Sequence, residues 1–191
     1  MKKLFLSFLA LTLLISGGQA LADAAEEAKA DQATMNKFLQ SDVVQKFAKS
    51  AYGYAVFPTI GKGGIIIGGG HGKGRVYVGG KRTGTTSMTQ LSIGFQLGGE
   101  AYSELIFFED KRAYDDFTSG EFEFGAQAQA IAITSSAGAG ASTTGTTASA
   151  NATQAKTKYS KGMAVFIMGK GGLMYEASVG GQKFKFTPLQ P

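Results

Sequence analysis

Between Thr34 and Ala51 the apolar residues Met35, Phe38, Leu39, Val43, Phe47 and Ala51 return at three- and four-residue steps. That is the period of a helix burying one face. Ser41-Asp42, inside the run, has the chemistry of a helix cap and predicts a second helical segment there. The stripe is expected to pack on the sheet that follows. The alternative is that it lies on a membrane, but its polar face mixes Lys37, Lys46 and Lys49 with Asp42 and is poorly basic. Before it, Asp23–Gln32 is rich in Ala and Glu and reads as a helix or a frayed leader.

After Ala51 the helical period gives way to short β-branched and aromatic runs separated by glycine, the mark of strands and turns. Strands are predicted near Tyr52–Phe57, Gly64–Gly69, Gly74–Val78, Thr86–Leu97, Ala101–Glu109, Phe122–Thr134, Ala148–Tyr159, Met163–Met168, Leu173–Val179 and Lys183–Thr187. One short helix interrupts them at Lys111–Ser119. Asp110 is its N-cap, Tyr114 and Phe117 are its apolar pair, and Gly120 stands where a left-handed residue ends a helix. The expected fold is therefore α+β: one β-rich domain with an antiparallel, barrel-like core, an N-terminal amphipathic helix and one short inserted helix.

Two local patterns add detail. Ala55-Val56-Phe57 with Gly61-Lys62-Gly63-Gly64 is echoed by Ala164-Val165-Phe166 with Gly169-Lys170-Gly171-Gly172, and both read as strand, tight turn, strand. The echo is either a remnant of duplication or two hairpins of like geometry. At such tips glycine supplies the turn and the lysine points outward. The Ser/Thr/Ala/Gly-rich stretch Ser135–Lys158 is expected to hold a loop at 138–147. Just before it, Ala126, Ala128, Ala130 and Ala132 alternate with larger residues, giving a strand with one face of methyl groups.

The first residues have a different character. Lys2-Lys3, an apolar run Leu4–Ile15 and the small residues ending Ala20-Leu21-Ala22 make a secretory signal with cleavage after Ala22. The apolar run is shorter than the roughly 20 residues needed to span a bilayer. Expected boundaries are thus 1–22 signal, 23–33 leader and 34–191 domain, placed in the periplasm or cell envelope or secreted. Removing Lys2 and Lys3 lowers the net charge from +5 to +3. That is mildly basic, suited to an anionic membrane surface and too weak to argue for nucleic acid. The chain has no cysteine, which excludes a lipidated cysteine and any disulfide.

Catalytic patterns fail one by one. Ile67 stands where a phosphate-binding loop needs glycine ahead of Gly72-Lys73, and Gly74 replaces its Mg²⁺-binding hydroxyl. Gly68-x-Gly70 is followed by Lys73, and no helix opens there as a dinucleotide site requires. His71 is the one imidazole, in a glycine loop with no nucleophile elbow beside it. One histidine and no cysteine leave only carboxylate pairs such as Glu109-Asp110 and Asp115-Asp116 for a metal, and these read more simply as a helix start and its solvated face. No catalytic residue, metal or cofactor is expected.

Several segments together resemble the SYLF domain family: Ala51-Tyr52-Gly53-Tyr54-Ala55-Val56-Phe57-Pro58, Gly61-Lys62-Gly63-Gly64, Gln96-Leu97-Gly98-Gly99 through Ile106-Phe107-Phe108, Phe122–Ala128, and Tyr159-Ser160-Lys161-Gly162. The resemblance runs from about Val43 to Lys185. It implies an α+β binding module; eukaryotic relatives bind lipids, favouring phosphoinositides, some yeast relatives bind and bundle actin, and bacterial relatives are exported. With a bacterial-style signal, actin is not expected as a partner here. The reading is an exported, non-enzymatic module that binds anionic lipid or membrane surface, through phospholipid head groups, using Lys62, Lys73, Arg75, Lys81, Arg82 and Lys170 on glycine turns. One alternative is a scaffolding envelope protein with protein partners. Another is a small outer-membrane barrel, which the helix at 110–119 and the lack of aromatic girdles oppose.

Overall fold

The structure is a computed structural model that describes residues 22–63, 67–93, 100–125, 128, 130–133, 158–170 and 179–189. The expected signal, loop 138–147, the strands near 148–159 and 173–179, and the second Gly-Gly pair at 171–172 fall wholly or mostly outside them. Helix α1 spans 22–38, so the Ala/Glu-rich leader and the first half of the apolar stripe are one helix. A turn at 39–41 separates it from α2 (Asp42–Ser50), where the Ser41-Asp42 signal predicts a break. Strands β1 (Gly53–Gly63), β2 (Ile67–Val78), β3 (Lys81–Ile93) and β4 (Glu100–Phe108) follow, then α3 (Lys111–Thr118), β5 (Glu121–Glu123), β6 (Ile131–Ala132), β7 (Met163–Gly169) and β8 (Gln182–Pro188).

The strands form one sheet in the order β5-β8-β3-β2-β1-β4-β7-β6. All described pairings are antiparallel except β6 with β7. The sheet is curled rather than flat. Its central strand β1 contains Pro58, which lacks the N–H a ladder needs, and the register on both sides shifts across this residue. A second irregularity lies between β2 and β3 at Val76/Tyr77. Bulges of this kind bend a strand and increase its twist.

Each face of the curl has its own apolar layer. The concave side gathers Phe57, Ile60, Met88, Ile106, Phe108 and Phe184, and α3 closes it with Ala113 and Phe117. Phe117 lies 5.0 Å from Phe108 and 5.1 Å from Phe184, ring centre to ring centre. Each fully buried phenyl of this kind contributes roughly 1.5–3 kcal/mol, enough that the domain needs no disulfide. On the convex side Phe38, Val43, Val44 and Phe47 of the two N-terminal helices, with Leu39 of the turn between them, cover Val56, Leu105, Phe107 and Phe166. The amphipathic stripe therefore packs on the sheet. The inserted helix also matches its sequence signals: Asp110 Oδ1 accepts from the Ala113 N–H at 2.8 Å, and Gly120 has φ +132°.

The glycines behave differently from expectation. Gly68 to Gly72, read as a loop holding His71, lies in the first half of β2, and Gly61-Lys62-Gly63 is the end of β1 rather than a turn tip. Position decides this. Gly72 and Gly74 point into the concave layer, where an added Cβ would stand 2.5 Å from Ile60 Cγ1 and 2.6 Å from Phe57 Cδ1. The missing side chains make room for large neighbours on β1. At Gly61 the same test meets nothing within 4 Å. Gly74→Ala is accordingly expected to cost about 1–3 kcal/mol by overpacking, and Gly61→Ala to be nearly neutral. Urea unfolding of the two variants checks this; equal losses would refute the assignment of Gly74 to close packing.

Candidate functional site

Alternation along β2, β3 and β8 sends Gly72, Met88 and Phe184 inward, so the neighbouring residues face out. The register then lines up Lys73, Ser87 and Lys185 across three adjacent strands, and His71, Thr89 and Lys183 across the next row. With adjacent strands about 4.8 Å apart, the two lysines of a row stand roughly 10 Å apart with a hydroxyl between them. Lys73, Lys183 and Lys185 are exposed. Lys183 lies 3.5 Å from Glu123, a pair open to solvent on both sides. Neither Lys73 nor Lys185 has an ion pair among the described residues. Leu91, further along the outer side of β3, is 79% exposed. The two N-terminal helices pack over β1, β4 and β7 on this side, and α1 reaches β2 and the start of β3 through Asp31 with Arg75 and Glu27 with Arg82.

The six residues expected to bind anions are scattered by the fold. Lys73 sits on the outer face just described. Arg75 lies on the same strand but is only 6% exposed, held by Asp31 of α1. Its Nε donates to Asp31 Oδ2 at 2.8 Å, its Nη2 donates to Oδ1, and the Tyr77 hydroxyl donates to Oδ2 at 2.6 Å. Burial works against the guanidinium's charge, but the hydrogen bond and charge of Asp31 outweigh it, and the pKa is raised. Arg82 pairs with Glu27 of α1 at 3.0 Å. Both arginines are thus neutralised within the chain. Lys81 is exposed, next to the Gly79-Gly80 turn where φ is +56° and +76°. Lys62 is half-buried on the side of β1 that carries Ile60, away from Lys73. Lys170, after β7, donates to Thr59 Oγ1, and burial followed by the nearby charge of Lys37 lowers its pKa.

Sequence reasoning passed over Lys183 and Lys185. Their signal was the alternation Lys183-Phe184-Lys185-Phe186, which places both lysines opposite two phenyl rings. It also passed over a polar group inside the curl. Glu104 of β4 is fully buried and accepts from Gln182 Nε2 of β8 at 2.9 Å; the same amide nitrogen lies 3.1 Å from the Tyr102 hydroxyl. The two strands are four places apart in the sheet, so the curl itself brings them together. Burial pushes the Glu104 carboxyl up to about 8, partly offset by the Gln182 hydrogen bond. Its Oε1 and the Gln182 Oε1 are both buried without a partner. Two acceptors cannot satisfy each other, and the proton that Glu104 keeps at neutral pH turns one of them into a donor.

No three His, Cys, Asp or Glu side chains converge to hold a metal ion among the described residues. The geometry instead offers a charged, hydroxyl-lined face and a groove of about 600 Å³ beneath α1. The family model of Ysc84, described as "Las17-binding protein actin regulator", matches residues 89–186, just over half of the chain. The chain belongs to the Ysc84, or SYLF, family. Within this SYLF domain the match runs from the last part of β3 into β8, including Glu104, Gln182 and Lys183, with Lys185 near its end. It begins after Lys62, Lys73, Arg75, Lys81 and Arg82. Beta cell expansion factor A of Aeromonas veronii is 28% identical over 157 residues, 81% of this chain and 53% of that protein. The chain therefore spans about half the length of that relative. The SYLF assignment marks a binding module.

Proposed function

We propose that this SYLF domain is an exported, non-enzymatic module that binds anionic membrane surfaces through the outer face of β2, β3 and β8. The observation that carries this reading is the in-register row Lys73-Ser87-Lys185, with exposed Lys183 in the next row. Lysine ammonium groups and hydroxyls on a nearly continuous sheet face present many donors to phospholipid head groups at once. The signal-like residues 1–22 support delivery to the cell envelope. Lys81 stands off this face, in the row of Val78, Gly53 and Phe108 on the concave side, and Arg75 and Arg82 are already committed to α1.

Each lysine near an anionic membrane contributes about 1 kcal/mol. Removing three, as in K73Q/K183Q/K185Q, is expected to weaken binding to anionic vesicles about a hundredfold. Cosedimentation of the purified protein with anionic and neutral vesicles across a salt series reads this directly. Binding that is insensitive to salt and to the triple change would overturn the electrostatic reading. A second reading, a scaffold for protein partners, draws on Leu91, a large apolar side chain on the same face at 79% exposure. Its signature is capture of an envelope protein that survives the lysine changes and is lost on Leu91→Ser.

A further inference from the structure

The first half of α1 runs along the sheet without apolar contact. Asp23, Glu26, Glu27 and Ala30 recur at helical steps and line one wall of the groove; His71 and Lys73 of β2 line the other. Glu27 is tied to Arg82 at 3.0 Å, and Asp31 to Arg75, so α1 is anchored on either side of Ala30. On the N-terminal side of these anchors the opposed charges do not meet. Asp23, Glu26 and Lys73 form no ion pair among the described residues. The floor is left bare at Gly61, where an added Cβ would touch nothing within 4 Å. Acidic side chains in the first turns of a helix also suit its dipole. That effect does not require them on the sheet-facing stripe, opposite a basic wall, across a space of about 600 Å³. Spaces of this volume are in the range that holds a small ligand.

We propose that the groove binds a small zwitterion carrying a phosphate and a primary ammonium group. The phosphate sits on Lys73 and His71, and the ammonium on Glu26 and Asp23. A simple anion would face the acidic wall and a simple cation the basic one, so the two walls select a ligand bearing both charges. This goes beyond surface binding, which needs only the open face of β2, β3 and β8.

The single histidine of the chain reports on the site without ambiguity. In the purified protein the His71 imidazole resonances are expected to shift saturably with phosphoethanolamine, at an affinity at least about tenfold above that for inorganic phosphate or ethanolamine alone. Glu26→Gln and Gly61→Leu should each lower that affinity about tenfold or more. Gly61→Leu adds bulk at the floor, where an added Cβ meets nothing within 4 Å, so its urea midpoint should not fall and its salt-dependent vesicle binding should match the wild type. An equal response to inorganic phosphate, or an unchanged response in Gly61→Leu, overturns the proposal whatever the vesicle assay shows. Bilayers containing phosphatidylethanolamine, added in competition, separate the two sources of this chemistry: displacement of phosphoethanolamine marks a lipid head group, and no displacement marks a free solute.

Discussion

Glu104→Gln is expected to raise stability at neutral and alkaline pH and to flatten its pH dependence. Glu104 is fully buried, with a pKa near 8 in the folded chain against 4.5 when unperturbed. A carboxyl whose pKa is raised by folding contributes stability that is fully present below the unfolded value and is lost as pH rises through the folded one. The wild-type domain should thus be most stable below about pH 4.5 with respect to this group, weaken steadily above it, and level off past about pH 8. Each pH unit in that window is worth about 1.4 kcal/mol, so the whole effect is a few kcal/mol. Glutamine keeps the shape, carries no charge to desolvate, and supplies an N–H donor to a site with two orphan oxygens. Urea unfolding of both proteins from pH 5 to 9 measures the difference in slope. Parallel slopes would show that Glu104 does not titrate as its burial requires.

Asp31→Ala should be the most damaging single change on the convex side. It leaves Arg75, at 6% exposure, charged and without its carboxylate, and strips the Tyr77 hydroxyl of its acceptor. Breaking a buried pair from one side typically costs about 3–5 kcal/mol. Replacing both partners is a different experiment, because no stranded charge remains. Asp31→Leu with Arg75→Met is expected to recover most of the loss. A double-mutant cycle in urea distinguishes the cases, and a loss under about 1 kcal/mol for Asp31→Ala would mean that water reaches the guanidinium.

What the sequence made legible was local periodicity. The stripe from Met35 to Ala51, the cap at Asp110 and the alternation around Phe184 each state their element within a few residues, and the structure agrees with them. The glycine run at 68–72 misled because a turn and a crowded strand both call for glycine. Only Ile60, on the neighbouring strand, which an added Cβ at Gly72 would meet at 2.5 Å, tells them apart. Arg75 looked like a ligand-binding cation for a similar reason: its partner Asp31 lies 44 residues away in a segment that gave no sign of touching the sheet. Glu104 and Gln182, 78 residues apart, meet only because the sheet curls. Lys73 and Lys185 share a row by the same long-range pairing, and neither position alone announces it.

That long-range pairing also orders events in time. β3 finds its outer neighbour in β8, with Thr86 opposite Phe186, and among the described residues β5 pairs with β8 alone. Until synthesis has passed the last strand, β3 remains an open edge and the aromatic layer beneath it lacks Phe184. Loop closure over such distances is slow, and it cannot begin before both ends exist. The described sheet is therefore completed only once β8 has been made.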